Sequence, residues 1–244
     1  MSGQGIRRVI VLVAALIGCA VTARLGVWQL SRAAEKIALQ NQIDGRSREP
    51  AMAAAALART EAEALPQHYR AIVLHGRWLA QSTVYLDNRQ MNAQPGFYVV
   101  TPLLLAPGDA VLVQRGWVPR NIQDRTRLPP IVTPEGEVEV RGLIAPPPSK
   151  LFEFSTVESG PIRQNLDLGE MSREIGVKLR PLSLRQSDDA VPAHDGLLRE
   201  WPQVAVDVSK HYGYAFQWFA MSALIAGLYV WFQLLRPRLR RAAA

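Results

Sequence analysis

Two uncharged apolar runs, one near each end of the chain, constrain its fold more than any other feature. Val9–Ala23 contains 15 residues and Tyr212–Leu235 contains 24, none of them charged. An α-helix rises about 1.5 Å per residue, so crossing the roughly 30 Å hydrocarbon core of a bilayer takes about 20 residues. The second run is long enough alone. The first run reaches a sufficient length if the helix extends to residue 30. This extension includes Arg24, whose long side chain can reach the lipid headgroups. We therefore predict two transmembrane helices, at residues 9–30 and 212–235.

The first run is also compatible with two kinds of export signal. The tripeptide VTA at 21–23 loosely resembles the cleavage site of a secretory signal peptide. The sequence LIGC at 16–19 fits the pattern at which lipoproteins are lipidated, on Cys19. The residues of this run leave a cleaved peptide, a lipid anchor and a retained helix all open.

The net charge of +7 comes almost entirely from the two tails. Six of the 28 basic residues lie there: Arg7, Arg8, Arg236, Arg238, Arg240 and Arg241. The region between them holds 22 basic residues against 21 acidic ones, and this nearly neutral balance excludes a nucleic-acid-binding domain. Basic residues flank the cytoplasmic side of membrane helices, so the four C-terminal arginines place that tail in the cytoplasm.

Two spans place both termini on the same side of the membrane. The expected organisation is a cytoplasmic segment at residues 1–8, a periplasmic domain at 31–211 and a basic cytoplasmic tail at 236–244. Eight residues before the first run are too few for a mitochondrial transit peptide. We therefore expect a multi-pass protein of a bacterial inner membrane.

The region between the two runs is predicted to form a β-rich domain of the α+β class. Leu30–Asp44 continues the first helix, which Gly45 is expected to end, and the alanine-rich Pro50–Leu65 is predicted to form another helix. The strands expected from Val, Leu and aromatic content are Tyr69–Trp78, Thr83–Asn88, Phe97–Leu105, Ala110–Val118, Glu137–Ile144, Ile162–Leu166 and Leu179–Ser187. A short helix is expected at Leu168–Ile175 and a loop at Ser187–Leu198. We expect one compact domain with an antiparallel sheet.

Sequence motifs for catalysis are absent, and we predict that the protein is not an enzyme. No metalloprotease, serine-hydrolase or nucleotide-binding motif occurs in the chain. The single cysteine excludes a paired-cysteine copper site. His68 and His75 lie seven residues apart, which predicts opposite faces of a strand, and His194 is expected in a solvated loop.

Two groups of residues stand out at the edges of these elements. The first contains Gly26, Trp28, Gln29, Arg32 and Lys36, among which Trp28, Arg32 and Lys36 follow each other at four-residue spacing on one face of the first helix. They fit either an interface anchor or a docking surface for a partner or an anionic group. The second group is RGWVPR at 115–120, where Gly116 inside a strand predicts a bulge or a close backbone approach. The alternative interpretation of this segment is a strand end with a packed tryptophan.

The third group lies at the start of the second apolar run. His211 precedes five aromatic residues within eight positions. Helical spacing places Tyr214, Ala215 and Trp218 on the face of His211. One interpretation is an aromatic belt with a boundary histidine. The other is a haem site, because imidazole binds haem iron and aromatic walls suit a flat apolar macrocycle.

Together these groups resemble the Surfeit locus protein 1 family of cytochrome c oxidase assembly factors. The matching segments are LGVWQLSRAAEK (25–36), VYLDNR (84–89), GFYVVTPL (96–103), VLVQRGWVPR (111–120) and HYGYAFQWF (211–219). Each is weak alone, but all five occur in the family's order between two terminal apolar runs. The resemblance covers residues 7–235.

The resemblance implies a factor that binds haem a and assists its insertion into the catalytic subunit of haem–copper cytochrome c oxidase. The family histidine beside the second span corresponds to His211, the implied iron ligand, with Tyr214 and Trp218 as wall residues. Arg32 and Lys36 are weaker candidates for propionate or partner contact, and Gly26 and Trp28 are implied to shape the membrane-side contact. Haem a synthase is a second candidate partner, beside membrane lipid. The resemblance also favours a retained first helix, since cleavage or lipidation would separate it from its motif.

Three other functions remain open from the sequence. The first is a protein-only scaffold that stabilises the oxidase catalytic subunit while other proteins insert haem. The second is copper delivery, for which one cysteine and scattered histidines make a poor site. The third is an unrelated envelope adaptor.

Overall fold

The computed structural model describes residues 3–121, 123–124, 127–151, 160–188, 195–202 and 207–242. They form two compact units. The helical unit combines Met1–Gln42 with Gln203–Ala244, and the sheet unit comprises Ile43–Pro202. His194, together with residues 189–193 of the predicted loop, lies outside the described residues.

The order of elements is two helices, six strands, a helix, a strand and two further helices. The helices are α1 (Gly3–Ser47), α2 (Glu61–Gln67), α3 (Leu168–Ile175), α4 (Val208–Tyr229) and α5 (Arg236–Ala242). The strands are β1 (Ala71–Trp78), β2 (Val84–Met91), β3 (Gln94–Ala106), β4 (Asp109–Pro119), β5 (Glu137–Ala145), β6 (Ile162–Arg163) and β7 (Lys178–Gln186). A π-helical segment, Val230–Leu235, joins α4 to α5, and short 3₁₀ turns lie at Ala54–Ala56 and Ala80–Ser82.

The two apolar runs lie in long helices, as predicted. Gly5–Ser47 and Val208–Leu239 are both long and apolar enough to cross a membrane. Large apolar side chains on both remain uncovered, for example Leu16, which is 60% exposed, and Phe216, which is 74% exposed. The expected helix end at Gly45 is wrong, because α1 continues through it to Ser47. A helical glycine costs only about 1 kcal/mol, so it does not by itself end a helix.

The expected single helix over Pro50–Leu65 is also wrong. Only the 3₁₀ turn at Ala54–Ala56 forms in its first half, and α2 begins after Thr60. The Thr60 side chain accepts a hydrogen bond from the backbone N–H of Glu63, whose carboxylate accepts one from the backbone N–H of Thr60. This capping box defines a new helix start, and it is the reason that the alanine-rich segment divides.

The sheet is mixed rather than antiparallel, which corrects the prediction. Its order is β1-β5-β7-β4-β3-β2-β6. The β4–β7 and β2–β6 pairs are parallel, because β6 and β7 follow long connections instead of hairpins. The second half of β3 also pairs with the end of β1, at Arg77↔Leu104 and Trp78↔Leu103. This extra pairing joins β1, β5, β7, β4 and β3 into a closed ring.

The main core fills this ring with side chains from all five of its strands. The buried residues are Ile72, Leu74, Trp78, Leu103, Val111, Val113, Val140, Ile144, Leu182 and Leu184, with Leu57, Ala58 and Ala64 packed against them. A second cluster lies between α3 and the strands β2, β3, β4 and β7, around Leu86, Leu112 and Met171. The ring is therefore a packed core rather than a pore.

A paired arginine connects this core to the segment before α2. The Nε and Nη2 groups of Arg180 donate to the two carboxylate oxygens of Asp109, at 2.7 and 2.6 Å, and Nη1 donates to the Leu57 carbonyl at 2.6 Å. The hydrogen bonds from Arg180, helped by its charge, hold the pKa of Asp109 below its usual value. Asp109 is mostly buried and Arg180 almost fully so, so removal of the carboxylate leaves a buried cation without its anion.

We expect Asp109→Asn to lower the free energy of unfolding of the sheet unit by about 2–4 kcal/mol at neutral pH. The pKa of Asp109 is lower in the folded protein than in the unfolded chain. The stabilisation is therefore complete above the unfolded pKa and disappears as the pH falls through the folded one. Urea titrations of wild type and variant at neutral pH and at about pH 3 measure this. A difference between the two proteins that does not shrink on acidification would contradict it.

Candidate functional site

The candidate site lies in the helical unit, on a seam where α1 and α4 run antiparallel. Gly26 is buried under the Phe219 ring, and a Cβ atom placed on it would lie 2.8 Å from two ring carbons. Further along the seam, the Cys19 thiol donates to the Ser222 carbonyl at 3.4 Å, and the Ser222 hydroxyl donates to the Cys19 carbonyl at 3.2 Å. Small residues and short side-chain bonds of this kind let two helices approach closely in an apolar environment.

His211 lies on this seam and is half-buried. Its Nδ1 atom lies 2.7 Å from Oε1 of Gln29, a residue of α1. Ala33 and Ala215 flank the pair and are 0% and 2% exposed, so the helices meet closely beside it. The opposite ring nitrogen, Nε2, forms no hydrogen bond within the described part of the chain. His211 therefore presents one occupied and one available nitrogen.

Charged residues surround the start of α4. Lys210 donates to Oδ1 of Asp207 at 2.7 Å, and this hydrogen bond holds the pKa of Asp207 below its usual value. Lys36 and His211 also lie close enough to act on the Asp207 carboxylate. Lys36 is half-buried. The sequence interpretation missed Lys210, although its position next to His211 was a signal.

The other predicted site residues are only partly brought together. Tyr214 is 52% exposed and Trp218 is half-buried, whereas Ala215 takes the seam position on the face of His211. Arg32 is exposed and donates to Glu35 at 2.6 Å, so it already has a carboxylate partner. Trp28 is half-exposed.

Gln29 is the residue that the sequence interpretation left without a role. It lies three positions after Gly26 and four before Ala33, and this spacing places all three on one helical face. The prominent Trp28–Arg32 spacing marks the neighbouring, exposed face. The small residues were therefore the sequence signal for the contact between α1 and α4. The aromatic and basic residues mark the exposed face instead.

The RGWVPR segment is part of the packing of the sheet unit. Trp117 is buried and donates from its indole N–H to the Arg89 carbonyl at 2.9 Å. A Cβ atom on Gly116 would lie 2.7 Å from Cβ of Leu197, which confirms the predicted close approach. The β3–β4 register also shifts at this point.

Arg115 lies beside this bulge and is 2% exposed. Its guanidinium lies 4.8 Å from the centroid of the Trp78 ring and donates to Thr133 Oγ1 at 2.7 Å. Burial lowers the pKa of Arg115. These contacts support the packing interpretation of the segment.

The remaining described histidines do not assemble a metal site. His68 caps the end of α2 and His75 lies in β1. The two histidines therefore do not lie in one strand, contrary to the expectation from the sequence. His75 pairs with Glu139 at 3.2 Å on the surface. Within the described ranges, no group of three histidine, cysteine or carboxylate side chains is placed to hold a metal ion.

The family relationship follows from comparison with known proteins. The model of the SURF1 family matches residues 16–223, which include the seam, His211 and all five motif segments. The chain belongs to the SURF1 family. Its members are generally known as oxidase assembly factors, in agreement with the resemblance seen in the motifs.

Relatives in bacteria and plants share this similarity. A SURF1-like protein of Rickettsia bellii is 27% identical over 221 residues, covering 88% of this chain and 87% of the relative. A SURF1-like protein of Rickettsia felis is 26% identical over 225 residues, covering 88% and 93%. Surfeit locus protein 1 of Arabidopsis thaliana is 32% identical over 124 residues, covering 44% of this chain and 33% of the relative.

Proposed function

We propose that this member of the SURF1 family is an assembly factor for haem–copper cytochrome c oxidase that carries haem a to the catalytic subunit. Two helices of spanning length and a basic C-terminal tail support an inner-membrane protein with both termini in the cytoplasm. In this arrangement the sheet unit lies in the periplasm. Haem a synthase is a further proposed partner, as the source of the cargo.

The observation that carries the proposal is the state of His211. Its imidazole is half-buried at the start of an apolar helix, with Nδ1 hydrogen-bonded to Gln29 and Nε2 without a hydrogen-bond partner in the described part of the chain. A single oriented imidazole with an open nitrogen fits an axial ligand of haem iron. Protein copper sites use several nitrogen or sulfur donors, and no such group occurs among the described residues. The donor set therefore favours haem over copper as cargo.

Each surrounding residue has a role in holding this cargo. His211 binds the iron through Nε2, and the exposed aromatic side chains of Tyr214 and Trp218 cover the macrocycle. Lys36 and Lys210 face the same end of α4 and supply cations for the propionates. Arg32, already paired with Glu35, is the weaker candidate and belongs with Trp28 to a partner-facing surface. No covalent bond within the cargo is formed or broken in this scheme, so we propose a carrier rather than an enzyme.

The test is the haem content of protein purified from cells that make haem a. We expect a haem absorption band in the wild type and at least about a tenfold loss of bound haem in His211→Ala, since an axial ligand is removed. His75→Ala is the matched control, because His75 is an exposed histidine of the sheet unit. Full haem occupancy in His211→Ala would contradict the ligand assignment.

Oxidase activity in a deletion strain separates the alternatives. Loss of haem a from the oxidase, restored by wild type but not by His211→Ala, is the expected result. Oxidase loss together with a haem-free wild-type protein would favour a scaffold that acts through protein contacts alone. Unchanged oxidase activity in the deletion strain would overturn the proposed function.

A further inference from the structure

We infer that Gln29 is the positioning residue of the His211 site, and that its side-chain carbonyl selects the imidazole tautomer whose Nε2 is free to bind iron. This inference rests on the proposed function for its purpose. Its geometric part concerns the protein alone. It assigns the orientation of an imidazole on α4 to a residue of α1.

The direction of the hydrogen bond carries the inference. Oε1 of Gln29 is an amide carbonyl oxygen and can only accept, and it lies 2.7 Å from Nδ1 of His211. With the carbonyl end of the Gln29 amide facing the ring, Nδ1 of the neutral imidazole holds the proton, which leaves the lone pair on Nε2. A neutral histidine without a partner favours the opposite tautomer, with the proton on Nε2. The hydrogen bond that Gln29 accepts thus favours the less common imidazole tautomer.

The seam keeps Gln29 in place for this role. Ala33 and Ala215, the small neighbours of the pair, are almost completely buried, and Gly26 contacts Phe219 one turn away. The close approach of the helices restricts where the Gln29 side chain can turn. Outer partners of this kind fix ring orientation in metal sites, and their loss weakens metal binding by about 10–100-fold.

Substitutions at Gln29 distinguish its role as a hydrogen-bond acceptor from its contribution to helix packing. Gln29→Leu keeps most of the volume but removes the acceptor. Gln29→Glu keeps the acceptor and adds negative charge, which makes the imidazole a stronger donor to the iron. Gln217→Leu is the matched control, because Gln217 is exposed on α4.

The first measurement uses haem-free full-length protein in detergent micelles with ¹⁵N-labelled histidine. At about pH 8.5, well above the usual imidazole pKa, the ¹⁵N shifts of His211 report which nitrogen carries the proton. We expect the proton on Nδ1 in wild type, Gln29→Glu and Gln217→Leu, and a shift towards Nε2 in Gln29→Leu. A proton on Nε2 in wild type, or no change in Gln29→Leu, would overturn the inference.

The second measurement uses the same proteins loaded with haem a. We expect haem affinity to fall about tenfold in Gln29→Leu. We expect the reduction potential of the bound haem to fall in Gln29→Glu, because added negative charge favours the ferric state, and to rise in Gln29→Leu. Equal potentials in wild type and both Gln29 variants would also overturn the inference.

The two measurements distinguish a failure of this inference from a failure of the proposed function. If the wild type binds no haem but shows the expected tautomer, the proposed function fails and the positioning by Gln29 stands. If haem binding depends on His211 while neither tautomer nor potential responds to Gln29, the proposed function stands and the inference fails.

Discussion

Gly96→Ala is expected to destabilise the sheet unit by about 3 kcal/mol or more, at the upper end of the range for overpacked interiors. A Cβ atom at Gly96 would lie 2.5 Å from Cε2 of the Trp117 indole and closer still to the Val118 carbonyl oxygen. Neither atom can move easily. Trp117 is buried and hydrogen-bonded to Arg89, and Val118 is held in the β3–β4 ladder opposite Phe97. Relief of the clash must therefore separate the two strands.

Gly45→Ala is the matched control for this substitution. Gly45 lies in the part of α1 that belongs to the sheet unit, and nothing lies within 4 Å of a Cβ atom placed there. Alanine in a helix is more favourable than glycine by about 0.5–1 kcal/mol, so this variant is expected to gain stability. Urea unfolding of the full-length proteins, followed by hydrogen exchange in β3 and β4, measures both changes. A Gly96→Ala protein as stable as wild type would show that the strands can part at this point without cost.

The strands were predictable because their pattern is local, but the closure of the sheet was not. Val, Leu and aromatic content marks β1, β3, β4 and β5 in the sequence itself. The ring depends on β3 having two partners along one edge, β2 at its first half and β1 at its second, while β4 pairs with the other edge. It also depends on β7 lying parallel to β4, far away in sequence. Such pairings are decided by which faces can be buried together, and a single sequence does not record that choice.

The candidate site shows the same division between local and non-local information. His211 was identifiable because a histidine at the threshold of an apolar helix is unusual. Its pairing with Gln29 was not, because 182 positions separate the two residues in sequence and only helix packing brings them together. Helical spacing placed both Tyr214 and Ala215 on the face of His211, and of the two only Ala215 is buried on the seam.

Replacement of Gly26 by leucine is expected to separate α1 from α4 and so to abolish haem retention. The Phe219 ring already lies where even a single methyl group would project, at 2.8 Å. Alanine could be accommodated by rotation of this ring, but a leucine side chain fills the space between the helices. Overpacking of this kind costs about 1–3 kcal/mol. Interhelical hydrogen bonds average only about 0.6 kcal/mol each in membranes, so the bonds at Cys19 and Ser222 cannot compensate.

The separation can be measured independently of haem because Cys19 is the only cysteine in the chain. In a Ser222→Cys background, oxidation should join the two cysteines, since the Cys19 sulfur lies 3.4 Å from the Ser222 carbonyl. We expect Gly26→Leu to reduce this crosslink several-fold and to lower haem content in parallel. Gly227→Leu on the open side of α4 should change neither, because nothing lies within 4 Å of its Cβ position. An intact crosslink together with loss of haem would show that Gly26 affects haem binding through contact with the cargo and not through helix separation. Loss of the crosslink with full haem content would show that His211 holds its cargo without α1.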